Sequence, residues 1–190
     1  MRWPNAWKDP ASLSLLKGSP IDCLLVESKA GLGPLVEEAG RIHLPVAEAG
    51  SPPAGVEIVK GNWPGVDPTQ GTGGLAAGPT GEPWVDSNGW KIRLAQAMSP
   101  GRQIWVNAPP AEPRLGLESY VLAVVDAGAY GARWILSLDE KLAADIAAGS
   151  GRALQTWHKL TDAARFFNAH QQWSTYQPEA VAGVVAIGIR

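Results

Sequence analysis

Short apolar runs recur along this chain, and most are followed by a stretch with helical spacing; this recurrence constrains the fold more than any other feature. The runs are residues 21–26, 43–47, 56–59, 103–106, 133–138 and 181–189. The first is bounded by Pro20 and the polar Glu27-Ser28-Lys29, as a buried strand should be. Helical patterns fall at 11–17, 31–41, 90–98, 118–130, 141–148 and 153–167, with Gly18, Gly40 and Gly131 as stop residues and Gly149-Ser150-Gly151 as a break. In the longest of the middle helices, Val121, Leu122, Val124 and Val125 form the expected apolar face. Two weaker features lie between 61 and 78: a tight polar loop, G-N-W-P-G-V-D, and a Gly-rich link holding one short strand at 75–77.

Strand, helix, strand in succession predicts an α/β protein with a parallel sheet of (β/α) repeats. The expected arrangement is TIM-barrel-like, with an open doubly wound sheet as the alternative. A closed eight-stranded barrel takes about 250 residues, and this chain has 190. The expectation is therefore one α/β domain over 1–190, either an incomplete barrel or a fragment of a longer one.

Composition removes several function classes. The net charge is −2 and no basic run is present, so neither nucleic acid nor an anionic membrane surface is an expected partner. No run reaches the 18 or so apolar residues of a membrane span. The opening M-R-W-P-N lacks the charged-then-apolar layout of a signal peptide, so any export signal would belong to a longer parent. No cofactor is expected. Neither G-x-G-x-x-G nor G-x-x-x-x-G-K-[ST] occurs, which disfavours nucleotides, and the lack of G-x-S-x-G disfavours a serine hydrolase. Cys23 lies in an apolar run, and His43, His158 and His170 are far apart, so no metal site is expected either.

Ligands of parallel α/β sheets gather at the strand carboxyl ends. The residues in those places are Glu27, Asn62, Trp63, Asp86, Asn88, Asn107, Asp139 and Glu140, with Trp84 and Trp90 close by in G-P-T-G-E-P-W-V-D-S-N-G-W. Carboxylates and amides are the planar partners that sugar hydroxyls require, and indoles stack on the apolar face of a sugar ring. Nine Trp in a chain of this size, several beside Pro, Gly or Asn, fit the same reading. A saccharide or another polyhydroxylated small molecule is the expected ligand.

Through strand-end Glu27, the loop G-N-W-P-G, the segment P-W-V-D-S-N-G-W, W-V-N-A-P-P and L-S-L-D-E, the chain resembles bacterial glycoside-hydrolase-like proteins built on (β/α) barrels. The resemblance implies acid-base hydrolysis of a glycosidic bond by two carboxyl groups, about 5 to 5.5 Å apart for retention or about 6.5 to 9.5 Å for inversion. The expected pair takes one member from Asp139 or Glu140 and the other from Glu27 or Asp86. Many such families carry the acid/base as Asn-Glu at a strand end, whereas Asn107 here precedes Ala108. Asp139 and Glu140 also suit the cap of the next helix, as Asp86, Ser87 and Asn88 suit theirs. The alternatives are a non-catalytic carbohydrate or small-ligand binding module and a structural fragment of a longer exported protein.

Overall fold

The computed structural model describes residues 1–4, 7, 9–71, 74–79, 87–108 and 116–175, with the backbone alone for 66–71, 74–79 and 174–175. The strand expected at 181–189, together with Trp84 and Asp86, lies outside the described residues. The chain is α/β, with parallel ladders and helices between them.

Two parallel ladders form the sheet. β1 (Leu24–Val26) pairs with β2 (Val46–Glu48), and β6 (Gln103–Asn107) lies between β3 (Val56–Lys60) and β7 (Arg133–Trp134). Residues 1–3 join them. Leu25 N donates to Met1 O and Trp3 N to Leu25 O, while Arg2 N donates to Leu136 O, each at 2.8 Å. Ile135 N in turn donates to Val106 O, continuing the β6–β7 pairing past the end of the ladder. The resulting order is β2, β1, residues 1–3, residues 133–136, β6, β3. Among the described residues no ladder joins β2 to β3, so the sheet does not close.

Between β3 and the next helix the chain departs from expectation. β4 (Val66–Gly71) and β5 (Gly74–Pro79) form an antiparallel hairpin, with Thr69 opposite Ala76, where the sequence reads as a loop followed by one short strand. Glycine and proline discount a segment as strand by propensity. A hairpin needs only local pairing, and this one forms despite them.

Side-chain alternation gives the sheet two unlike faces. On one face Leu24, Val26, Ile104, Val106, Trp134 and Leu136 join the main core, which also takes in buried apolar residues of each α-helix. These include Leu35 and Ala39 of α1 (Gly33–Arg41), Ile92 and Ala95 of α2 (Gly89–Met98) and Tyr120, Ala123 and Ala127 of α3 (Leu117–Ala129). Leu142 and Ile146 of α4 (Glu140–Ala147) and Trp157 and Leu160 of α5 (Gly151–Ala169) complete the helical layer. The opposite face carries a small cluster built from strand and strand-adjacent residues alone: Cys23, Leu25, Val56, Trp105 and Ile135. Each fully buried Leu or Ile contributes about 1.5–3 kcal/mol, so most of the stabilisation lies on the helical side.

Two helices depart in detail from their sequence patterns. The innermost line of α3 is Tyr120, Ala123 and Ala127, while Leu122 and Val125 face outward. The small residues are needed there because α5 crosses α3 closely, with the Phe167 ring resting over Gly128. Helix α1 runs past Gly40, and the left-handed residue after its end is His43, at φ 57°. Gly131 (φ 76°) and Gly149 (φ 73°) do take the left-handed conformation that ends a helix or opens a turn.

Candidate functional site

The carboxyl ends of the strands carry a connected set of polar side chains. Alternation continues the face of the small strand cluster upward from Leu25, Ile58, Trp105 and Ile135 to Glu27, Lys60, Asn107 and Ser137. Arg2, flanked by the core residues Met1 and Trp3, belongs to the same face. Its guanidinium forms an ion pair with Glu27 and donates from Nη2 to Asn107 Oδ1 at 3.2 Å. Two residues expected at the site from sequence are thus brought together by a third that sequence reading missed. Because Arg2 touches the residue after β1 and the last residue of β6, both ladders direct their carboxyl ends to one rim. Glu27 is exposed, so its ion pair contributes at most about 1 kcal/mol.

Beside this cluster lies a pocket of about 130 Å³ lined by Arg2, Trp3, Pro4, Ser137, Leu138 and Glu140, with Ala143. Ser137 is only 2% exposed, and among the described residues neither its Oγ nor Arg2 Nε has a hydrogen-bond partner. Buried donors of this kind cost about 1–3 kcal/mol each when unsatisfied. The pocket is thus lined by Ser137 and Arg2, whose orphaned atoms are enclosed, and by the exposed Glu140, which offers an acceptor.

On the β3 side, Lys60 is paired in register with Asn107, and Gly61 N donates to Asn107 O at 3.0 Å. A Cβ at residue 61 would overlap the Val106 side chain, so the chain passes this close to β6 only as glycine. The next turn is held by Asn88, which is fully buried. Its Oδ1 accepts from Asn62 N at 2.8 Å and its Nδ2 donates to Asn62 O at 2.9 Å. Asp126 Oδ2 on α3 accepts from both Asn88 N (3.0 Å) and Asn88 Nδ2 (2.9 Å). Asn88 occupies the N-cap position of α2 without a side-chain capping bond, because its amide is turned to the loop backbone. It positions Asn62, whose side chain is exposed and whose Oδ1 accepts from Lys91 Nζ at 3.1 Å.

The indoles divide sharply. Trp63 is 7% exposed and packs edge-on against Tyr120 and Trp134, with both ring centroids 5.1 Å away, so it is a core residue beneath the rim. Trp105 and Trp134 are buried too. Trp90 on α2 is 53% exposed, with Lys91 Nζ 5.6 Å from its ring centroid. Among the described residues expected to stack on a ligand, Trp90 alone presents an open face.

Asp139 caps α4. Its Oδ1 accepts from Leu142 N at 2.9 Å, and its Oδ2 accepts from the Tyr120 hydroxyl at 2.8 Å. Burial, and then the bond to Asp139, push the Tyr120 phenol well above its ordinary range. The carboxylate is thus engaged in joining α4 to α3, and Glu140 follows it in the first turn of the helix.

The chain matches no known family model, no curated protein and no solved structure. Its site must therefore be read from its own geometry. That geometry combines one arginine, two lysines, amides, a buried hydroxyl, exposed carboxylates and one open indole. Among the described residues, no group of three or more His, Cys, Asp and Glu side chains is placed to hold a metal ion. No helix among them is long and apolar enough to cross a membrane.

Of the contributors missed from sequence, Ser137 had a readable signal: it is the polar break in the apolar run R-W-I-L-S-L, in phase with Ile135. Lys60 ends its strand in a similar way. Arg2 gave none, because R-W-P carries no strand pattern of its own and is held by its neighbours on both sides.

Proposed function

We propose that this chain is a (β/α)-barrel-type protein, glycoside-hydrolase-like in architecture, that binds a saccharide along the carboxyl-end rim of its strands. The observation that carries the reading is the Arg2 junction, which draws Glu27 and Asn107 from separate strands to one place beside Ser137 and the 130 Å³ pocket. Among the described residues the helices pack on one face of the parallel sheet, which favours barrel-type winding over a doubly wound sheet, covered by helices on both faces. Asn62, Asn107, Glu27 and Glu140 offer planar hydrogen-bonding groups, and Trp90 offers the stacking surface. Retention of the chain on a glycan array, followed by calorimetry, tests the proposal. We expect Asn107→Ala and Trp90→Ala each to weaken binding by about tenfold, the worth of one good polar or stacking contact. Failure of every glycan to bind at millimolar concentration would overturn it, as would equal binding by the double variant.

Hydrolysis is the second reading, favoured by one observation. Glu27 pairs with Arg2, and Glu140 lines the pocket that Arg2 also lines, so Arg2 links one carboxylate to the pocket that holds a second. A chromogenic glycoside turned over by the chain but not by Glu27→Gln or Glu140→Gln would establish it. Binding with no turnover leaves the binding reading in place.

A further inference from the structure

A second cavity lies at the opposite end of the sheet, where Gln103 and Arg133 open β6 and β7. It has a volume of about 400 Å³, within the range of about 300–1,000 Å³ in which small ligands are held. Two segments line it. The end of α3 and the turn after it supply Gly128, Ala129, Gly131 and Ala132, none with a side chain larger than methyl. The end of α5 and the 3-10 turn that follows, Gln171–Thr175, supply the rings of Phe167, His170 and Trp173.

Those rings are held by the fold itself. Phe167 rests over Gly128, and the His170 centroid lies 4.4 Å from that of Phe166 and 4.2 Å from that of Trp173. Phe166 and Trp173 meet edge-on at 5.6 Å. Trp173 is nevertheless 48% exposed, so part of its indole is open to a ligand. Fixed aromatic surface beside residues too small to fill the space suits a flat ring, which stacks there at little entropic cost.

The polar groups of the lining define the edge of that ring. Gln103 Oε1 accepts from Trp105 Nε1 at 2.9 Å, so Nε2 is the end of the amide left to donate. His170 Nδ1 lies 2.7 Å from Phe166 O; a carbonyl only accepts, so Nδ1 carries the proton and Nε2 is the acceptor of the neutral ring. Asn168, also in the lining, offers both a donor and an acceptor. An edge that carries C=O and N–H side by side answers such a set. Arg133 lines the cavity as well, but its ion pair with Asp22 balances its charge, so no anion is required.

We propose that this cavity binds a flat, uncharged heteroaromatic ring with a lactam edge, of the nucleobase type, stacked on Trp173. A base without phosphate does not need the phosphate-cradling motifs that the chain lacks. The site is independent of the saccharide reading, since its lining shares no residue with the Arg2 junction or the pocket beside it.

The test is calorimetry of the full chain with hypoxanthine, inosine, inosine monophosphate and benzoate. Hypoxanthine should bind, and benzoate, a flat ring with an anionic edge, should bind at least about tenfold more weakly. Inosine within about tenfold of hypoxanthine places the ribose outside the cavity and supports the base as the group recognised. Trp173→Ala should weaken hypoxanthine about tenfold, the worth of one stacked ring, while Trp173→Phe, which keeps a ring, should stay within about threefold of the parent chain. Asn168→Ala should weaken hypoxanthine and leave benzoate within about twofold. Asn107→Ala, at the other end of the strands, should change nothing here. Affinity for hypoxanthine that survives Trp173→Ala, or benzoate bound as tightly as the base, overturns the inference. So does a monophosphate bound more than about tenfold more tightly than inosine, or no binding of any base at millimolar concentration.

Discussion

Tyr120 and Asp139 hold each other from both sides: the phenol donates to Asp139 Oδ2 at 2.8 Å, and the Asp139 amide donates back to the phenol oxygen at 3.1 Å. The pair ties α3 to the start of α4 directly beneath the rim. Tyr120→Phe keeps the ring against Trp63 and removes both bonds, which should cost about 1–3 kcal/mol in urea unfolding. Asp139→Ala also removes the cap and should cost about 0.5–2 kcal/mol for the cap alone. The double variant should lose less than the sum of the two, because the shared bond is removed only once.

The same pair predicts a pH dependence. The phenol is raised above its unfolded value of 10.0 by burial and by Asp139. Its contribution to stability is complete below about pH 10 and is lost as pH rises beyond that value, since the unfolded state releases the proton first. Unfolding free energy followed from pH 8 to 11 should fall less steeply in Tyr120→Phe than in the parent chain. Parallel slopes would contradict the assignment.

Asn88 is the fastener of the loop that carries Asn62. Asn88→Ala would leave Asn62 N and Asn62 O without the partners that now satisfy them and would remove one of the two bonds to Asp126 Oδ2. We expect a loss of about 2–4 kcal/mol by chemical denaturation. Asn88→Asp should be comparably damaging at neutral pH and partly relieved in acid, because it sets a second carboxylate against Asp126.

Gly128 lies within a helix, where alanine ordinarily stabilises by about 0.5–1 kcal/mol. Here a Cβ would press into the Phe167 ring. Gly128→Ala should therefore destabilise by about 1–3 kcal/mol, and Phe167→Leu should recover part of that loss. Thermal unfolding of the two single variants and the double variant measures the compensation.

Cys23, the one cysteine in the chain, is buried against Leu25 and Ile135, and burial raises its thiol pKa. A neutral, enclosed thiol should react with a disulfide reagent at pH 7 only as fast as the chain opens. Labelling should accelerate in step with urea-induced unfolding; immediate labelling of the native chain would contradict the packing.

The α/β class was legible because strand runs and helical patterns each follow from local periodicity and from turn chemistry at Gly and Pro. Strand ends were legible as well, which is why Glu27 and Asn107 could be named in advance. The hairpin at 66–79 was not, since its residues carry little strand propensity and its pairing lies in the backbone. Nor could the role of Trp63 be read, because Pro and Gly beside an indole look the same whether the ring faces water or, as here, Tyr120 and Trp134.

Sequence by itself determined most of the alternation of strands and helices and the polar residues that follow several of the strands. Tertiary structure alone decided which of those residues meet. Arg2 joins Glu27 and Asn107 across separations of 25 and 105 residues, and Asp126 reaches Asn88 across 38. Local pattern reports which face of an element is apolar, whereas a polar junction depends on the order in which strands lie side by side. That order is fixed by backbone hydrogen bonds between distant segments, to which the side-chain pattern of any one segment is blind.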